Sequence, residues 1–386
     1  MKLRFSAAIL LGLAVAISQA TPALSQTKPG SIFNVVPTPN ENQTNNALDA
    51  ASASSPTDIW AVGESTIHFD GTKWTAFLAP FIDGGKTAFL QGVVDISPTL
   101  AWAVGNVSEG NSPFQQVIEQ WDGKEWSVFP GPNFTPNSQA LLFGMASTSA
   151  NDIWAVGSLV TAVAGFNFFE HWDGTAWTAT TIQVPPTTET LLGVSADATN
   201  DAWAVGFQGI NGRTLAKHWN GSKWNDVATP NVGSGTNRLE AVLALSPNNV
   251  WAVGYSTPAN PDMEPQRTLI LHWDGKIWKV VPSPNVGPKI HTPSNRLLGL
   301  TANSANDIWA FGLHFAADGS GQFRTLVLRW DGTSWTIVPS PNPTKGFVGD
   351  VLFSGVVPSP GNVWIFGSEH EAPNAETLAI HTTTGN

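Results

Sequence analysis

A short phrase, W-A-V-G or a near variant, returns along the chain with its tryptophan at Trp60, Trp102, Trp154, Trp203, Trp251, Trp309 and Trp364, at intervals of 42 to 58 residues. No other feature restricts the fold so tightly. Each of the seven copies carries a glycine three residues after the tryptophan, from Gly63 to Gly367, and a leucine twelve residues before it, from Leu48 to Leu352. Ten residues before it stands a small residue: Ala50, Gly92, Gly144, Gly193, Ala241, Gly299 or Ser354. Such a period belongs to arrays of like units, each too small to bury its own faces and therefore stacked on its neighbours.

A second phrase follows the first: "FDGTKW" (69–74), "WDGKEW" (121–126), "WDGTAW" (172–177), "WNGSKW" (219–224), "WDGKIW" (273–278) and "WDGTSW" (330–335). Asp-Gly or Asn-Gly between β-forming residues marks a tight hairpin, because the turn needs positive φ, which Gly and Asn tolerate best. Each unit therefore reads as four short strands; in the fifth they are "RLEAVLAL", "VWAVGYS", "TLILHW" and "WKVVPS". The pattern predicts an all-β chain: a seven-bladed β-propeller, four antiparallel strands per blade, forming one domain over residues 31–386. The seventh copy ends in "TLAIHTTTG" without a fourth strand, while "FNVVPTPN" (33–40) matches "WKVVPSPN" (278–285). The N-terminal strand is expected to close the last blade and leave no open edge.

This order also maps two faces. Turns joining strands one and two, and three and four, are short, whereas the distance from the W-A-V-G glycine to the aromatic before D-G runs 6, 16, 15, 13, 19 and 18 residues in units one to six. Variation gathers on one face, where a rigid scaffold usually carries binding.

The first 25 residues place Lys2 and Arg4 before an apolar run and offer cuts after Ala20 or Ser25, which reads as a signal peptide, with 26–30 a short linker. No later apolar run is long enough for a membrane span, so the expectation is a secreted or periplasmic monomer. Without residues 1–25 the chain keeps 16 basic against 29 acidic residues, a balance that disfavours nucleic acid. With no cysteine there is no disulfide and no thiol chemistry.

With "DIWAVG", "HWDGTAW" and "VPSPN", the chain resembles exported bacterial β-propeller repeat proteins and, more distantly, kelch and two-component-regulator propellers. The resemblance spans residues 31–386 and implies the fold but no particular activity. The D-G-x-x-W turns also look like the Asp-box of sialidases, but that motif has one residue more, so no catalytic residue is carried over.

All 18 tryptophans fall in framework slots, which points to packing between blades. His68, His171, His218, His272 and His381 occupy one strand-three slot on different blades, too far apart to share a metal, and read as hydrogen-bonded framework. Asp70, Asp122, Asp173, Asp274 and Asp331 read as turn caps rather than calcium ligands. No metal, cofactor or nucleophile arrangement is expected. Asp49 and Glu240 share an inner slot, eleven residues before the tryptophan, in units one and five, with Gln91 there in unit two. Such acids at a channel mouth suggest the alternative reading of a glycan-cleaving enzyme.

The arginines are more distinctive. Five of seven lie in two repeated phrases: "RTL" with Arg213, Arg267 and Arg324, and "NRL" with Arg238 and Arg296. Both phrases enter strands from the variable face, with Phe207, Tyr255 and His314 close behind W-A-V-G or W-A-F-G glycines. Guanidinium forks suit carboxylates and phosphates, and aromatics suit sugars or apolar groups. The leading expectation is a non-enzymatic binding or scaffold protein that recognises a protein or an extracellular, possibly anionic glycan through these eight residues.

Overall fold

The computed structural model describes residues 32–382 apart from 42–44, 79–87, 108–113, 135–137, 162–163, 185–188, 210, 258–264, 288–293, 317–319, 345–347 and 372–373. The signal peptide, its cleavage sites and the linker expected before residue 31 lie outside the described residues. Among those residues are 28 strands and no helix. Unit five shows the plan: Asn237–Ser246, Asn249–Ser256, Arg267–Trp273 and Trp278–Val280, each antiparallel to the next. Five units are separate four-stranded sheets, and the last two are joined into one eight-stranded sheet by a single parallel contact of Phe323 with Gly349. The strand Asn374–Thr382 pairs with Phe33–Val35, placing Phe33 opposite Thr382 and Val35 opposite Ile380.

The repeated residues have geometric reasons. In every D-G or N-G turn the glycine holds φ between 87° and 94°. The carboxylate or amide before it caps the turn; Asp173 Oδ1 accepts from the Thr175 and Ala176 amides at 2.8 and 3.0 Å. The Thr175 hydroxyl and these amides hold its carboxyl down at about 2. The W-A-V-G glycine answers a different demand. Opposite it, every first strand carries a bulge: Leu239 pairs with Gly254 and Ala241 with Val253, so Glu240 is left over. A Cβ on that glycine would stand 1.8 to 2.1 Å from a carbonyl oxygen in or just before the first strand in all seven units.

Packing between units runs through the tryptophans. Trp60 meets Trp121 and Trp126, Trp102 meets Trp172 and Trp177, and Trp154 meets Trp219 and Trp224, all with ring centroids 4.8 to 5.5 Å apart. Trp203 and Trp251 continue the series, Trp309 packs on Phe33 at 5.5 Å, and Trp364 packs on Phe69 and Trp74 of unit one at 5.4 Å. Each unit thus caps the next, and the first strands of successive units touch around the axis.

Candidate functional site

The bulge in each first strand frees one residue, and these residues form a collar. Asp49, Gln91, Phe143, Leu192, Glu240, Leu298 and Phe353, one per unit, line a cavity of about 240 Å³ at the end of the strands that the variable connections enter. The same seven bound a second space of about 240 Å³, into which side chains such as Ala50, Val93, Val194 and Phe311 project between stretches of polar lining. Asp49 and Glu240, which share a slot in the sequence, therefore share a cavity.

Their surroundings differ. Glu240 Oε1 lies 3.2 Å from Arg238 Nε. Burial raises its carboxyl, and Arg238 and Arg296 oppose that rise. Gln91 Oε1 accepts from Asn106 Nδ2 at 2.6 Å. Among the described residues no basic group acts on Asp49: burial, then the nearby Glu64 carboxylate, push it up to about 7, and its buried Oδ2 accepts no hydrogen bond from them.

Beside Glu240 the two "NRL" arginines build a ladder across units four to six. Register puts Arg238 opposite Tyr255 and Phe207 opposite Thr190. The Arg238 guanidinium stands 4.0 Å over the Phe207 ring and 6.0 Å from the Tyr255 ring, and Arg296 stands 4.9 Å over Tyr255. Arg296 Nε donates to Gln266 Oε1. Tyr255 is 7% exposed, its ring covered by the cations it attracts. Arg238 keeps 29% of its side chain exposed, with its planar fork held in place.

The "RTL" arginines lie on third strands, two strands further out than the first strands that carry "NRL", so the five arginines do not form one group. Arg213 is exposed and lines a surface groove of about 550 Å³ with Glu189, Gln208, Asp226 and Thr229. Arg267 is opposite Ser256, and Arg324 is opposite His314 and acts on the buried Asp350. His314 Nδ1 lies 2.9 Å from the Phe315 carbonyl oxygen.

What the "RTL" phrase does was not legible as a set. Its threonine clasps the [ST]-P-N segment: the Thr268 amide donates to Asn285 Oδ1 at 2.9 Å, and its hydroxyl lies 2.8 Å from Ser283 Oγ. Thr214 meets Asn231 and Thr229, and Thr325 meets Asn342 and Ser340, in the same way. The partners stand 15 to 17 residues apart along the chain in each of these units. Likewise the five framework histidines each stack on a W-A-V-G-type tryptophan at 4.0 to 4.4 Å and reach Asp58, Asp152, Asp201, Asn249 or Asn362 at 2.6 to 2.9 Å. In unit six Arg329 fills the slot, 5.0 Å from Trp309 and 2.7 Å from Asp307. Among the described residues no group of acidic or histidine side chains could hold a metal ion, and no helix is long and apolar enough to cross a membrane.

No family model and no curated protein matches the sequence. Solved structures do. The structure of YCF48 bound to D1 peptide matches with a TM-score of 0.56 at 15% identity, over 95% of this chain and 100% of that one. The WD40 β-propeller domain of Doa1 matches with a TM-score of 0.56 at 9% identity, over 92% and 98%. A Trypanosoma rangeli sialidase in complex with the inhibitor DANA matches more loosely, with a TM-score of 0.45 at 10% identity, over 91% and 60%. The first two are β-propellers, and this chain has that fold.

Proposed function

We propose that the chain is an exported, non-enzymatic, seven-bladed propeller, closed by its N-terminal strand, that holds a carboxylate-bearing segment of a partner protein on its variable-loop face. The observation that carries this reading is the Phe207–Arg238–Tyr255–Arg296 ladder beside the channel mouth. Two guanidinium forks fixed on aromatic faces lose little freedom when they take a carboxylate, and Arg238 stays accessible. Twenty-eight strands fit seven blades, and the Phe33–Val35 pairing supports closure. The similar YCF48 chain is solved with a peptide. The glycan alternative needs an open aromatic face, and the Tyr255 ring is covered on this surface.

The test is an array of acidic peptides run beside a glycan array, probed with residues 26–386 and with a folded Arg238→Ala/Arg296→Ala variant. Selective retention of acidic peptides, weakened roughly tenfold or more in the variant, is the expected outcome, since losing a held charge pair costs about 1.4 kcal/mol or more. Selective glycan binding without peptide binding, or peptide binding indifferent to both arginines, overturns the reading.

A further inference from the structure

We propose a second recognition site at the channel mouth: a seat in unit one for an ammonium or guanidinium group on an apolar stem, received by Asp49. It stands apart from the arginine ladder, which belongs to units four to six.

Three observations meet there. The collar is apolar over four of its seven members, Phe143, Leu192, Leu298 and Phe353, and each of these is half-buried, so the space between them suits hydrocarbon. Of the three polar members, Glu240 is held by Arg238, and Gln91 by Asn106. Asp49 lines both spaces and is half-buried, and its Oδ2, shut from solvent, accepts no hydrogen bond among the described residues, a costly state in a folded protein unless the carboxylate turns to meet a donor in the cavity. Beside it stands another acid, Glu64, whose Oε2 accepts from the Ala47 amide at 3.2 Å and whose carboxyl burial also raises.

A cation placed against Asp49 supplies the missing donor and cancels the repulsion from Glu64. An anion meets two acids, and a neutral polar group leaves the charge unanswered. The stem has room among the apolar collar members, in the space of about 240 Å³ that they line. The chemistry is shared by a lysine or arginine side chain of a partner and by a free amphipathic amine.

Calorimetric titration of the folded protein with n-hexylammonium and with n-hexanol tests the seat. Hexylammonium is expected to bind roughly tenfold more tightly than hexanol, and Asp49→Asn to reduce it to the level of hexanol, whose own binding is unchanged. Equal binding of the two probes, no binding of either, or indifference to Asp49→Asn overturns the proposal. Should the variant not fold, the wild-type pH profile decides. Among the described residues, Glu64 on unit one and Glu240, with Arg238 and Arg296, are the other charged groups at the mouth. The carboxyl of Asp49 sits near 7 and the seat needs it ionised, so hexylammonium affinity rises between about pH 6 and 8 while that of hexanol stays level. A flat profile for both rejects the idea. N-acetyl-lysine amide distinguishes the sources: binding with the same dependence on Asp49 assigns the seat to a partner's side chain, and binding of hexylammonium alone assigns it to free amines. Failure of acidic peptides to bind at the arginine ladder leaves these outcomes unaffected.

Discussion

At the scale of single residues, the glycine of W-A-V-G and the bulge opposite it are one device. In unit five a Cβ on Gly254 stands 2.0 Å from the Arg238 carbonyl oxygen, a backbone atom that cannot swing aside. Gly254→Ala is therefore expected to cost about 3 kcal/mol, read as a drop in thermal midpoint, with the ladder residue Arg238 displaced. An unchanged midpoint refutes the link between glycine and bulge. The bulge in turn aims Glu240 and its six equivalents at the axis, so a position fixed for backbone reasons becomes the variable lining of the mouth. The sequence marked Gly254 and Glu240 as slots three residues after and eleven before Trp251, without saying that they face one another.

At the scale of the element, most fourth strands are short, three residues in Trp278–Val280, and in several units the chain beyond them is pinned by side chains. Thr268 does this with Asn285, Ser283 and the Pro284 carbonyl. Thr377 repeats it across the chain ends, its amide donating to Asn40 Oδ1 at 2.8 Å and its hydroxyl accepting from Thr38 Oγ1 at 2.8 Å. Thr268→Val leaves the Ser283 hydroxyl and the Pro284 carbonyl without their partner and is expected to cost about 1 to 2 kcal/mol in urea unfolding. A chain lacking residues 32–40 loses the same clasp, the strand Phe33–Val35 and the Phe33–Trp309 contact together, so its loss of stability exceeds that of Thr268→Val. Equal losses remove the N-terminal strand from the closure it is proposed to make.

At the scale of the whole molecule, Glu119 and Glu170 add to the response to pH alongside Asp49 and Asp95, whose carboxyls burial raises to about 7. Glu119 and Glu170, 1% and 0% exposed on third strands of neighbouring units, are pushed up by burial to about 8, with Gln116 partly opposing the rise at Glu170. In the unfolded chain they release their protons near 4.5. A folded value above the unfolded one means that the folded state binds more protons between these limits. Their contribution is complete below about 4.5 and is lost as pH rises through 8. Thermal midpoints measured from pH 5 to 8 should therefore fall, with a slope on the order of 1 kcal/mol per pH unit, and Glu119→Gln/Glu170→Gln should flatten that slope. A slope unchanged in the double variant assigns the effect elsewhere.

The repeat determined the strand content, the tight turns and the slots of tryptophan, histidine and glycine, because period, turn chemistry and packing class are local or periodic properties written in order along the chain. It also picked out Arg238, Arg296, Phe207 and Tyr255, since their phrases recur. Only the tertiary structure decided which of the arginines meet: "NRL" and "RTL" look alike in sequence, but one begins first strands at the axis and the other begins third strands further out. It alone separated Asp49 from Glu240, two acids in one slot, because the charge each feels is set by neighbours from other strands: Glu64 for the first, Arg238 and Arg296 for the second. Coulomb forces and desolvation act through space, and a sequence orders residues only along the chain.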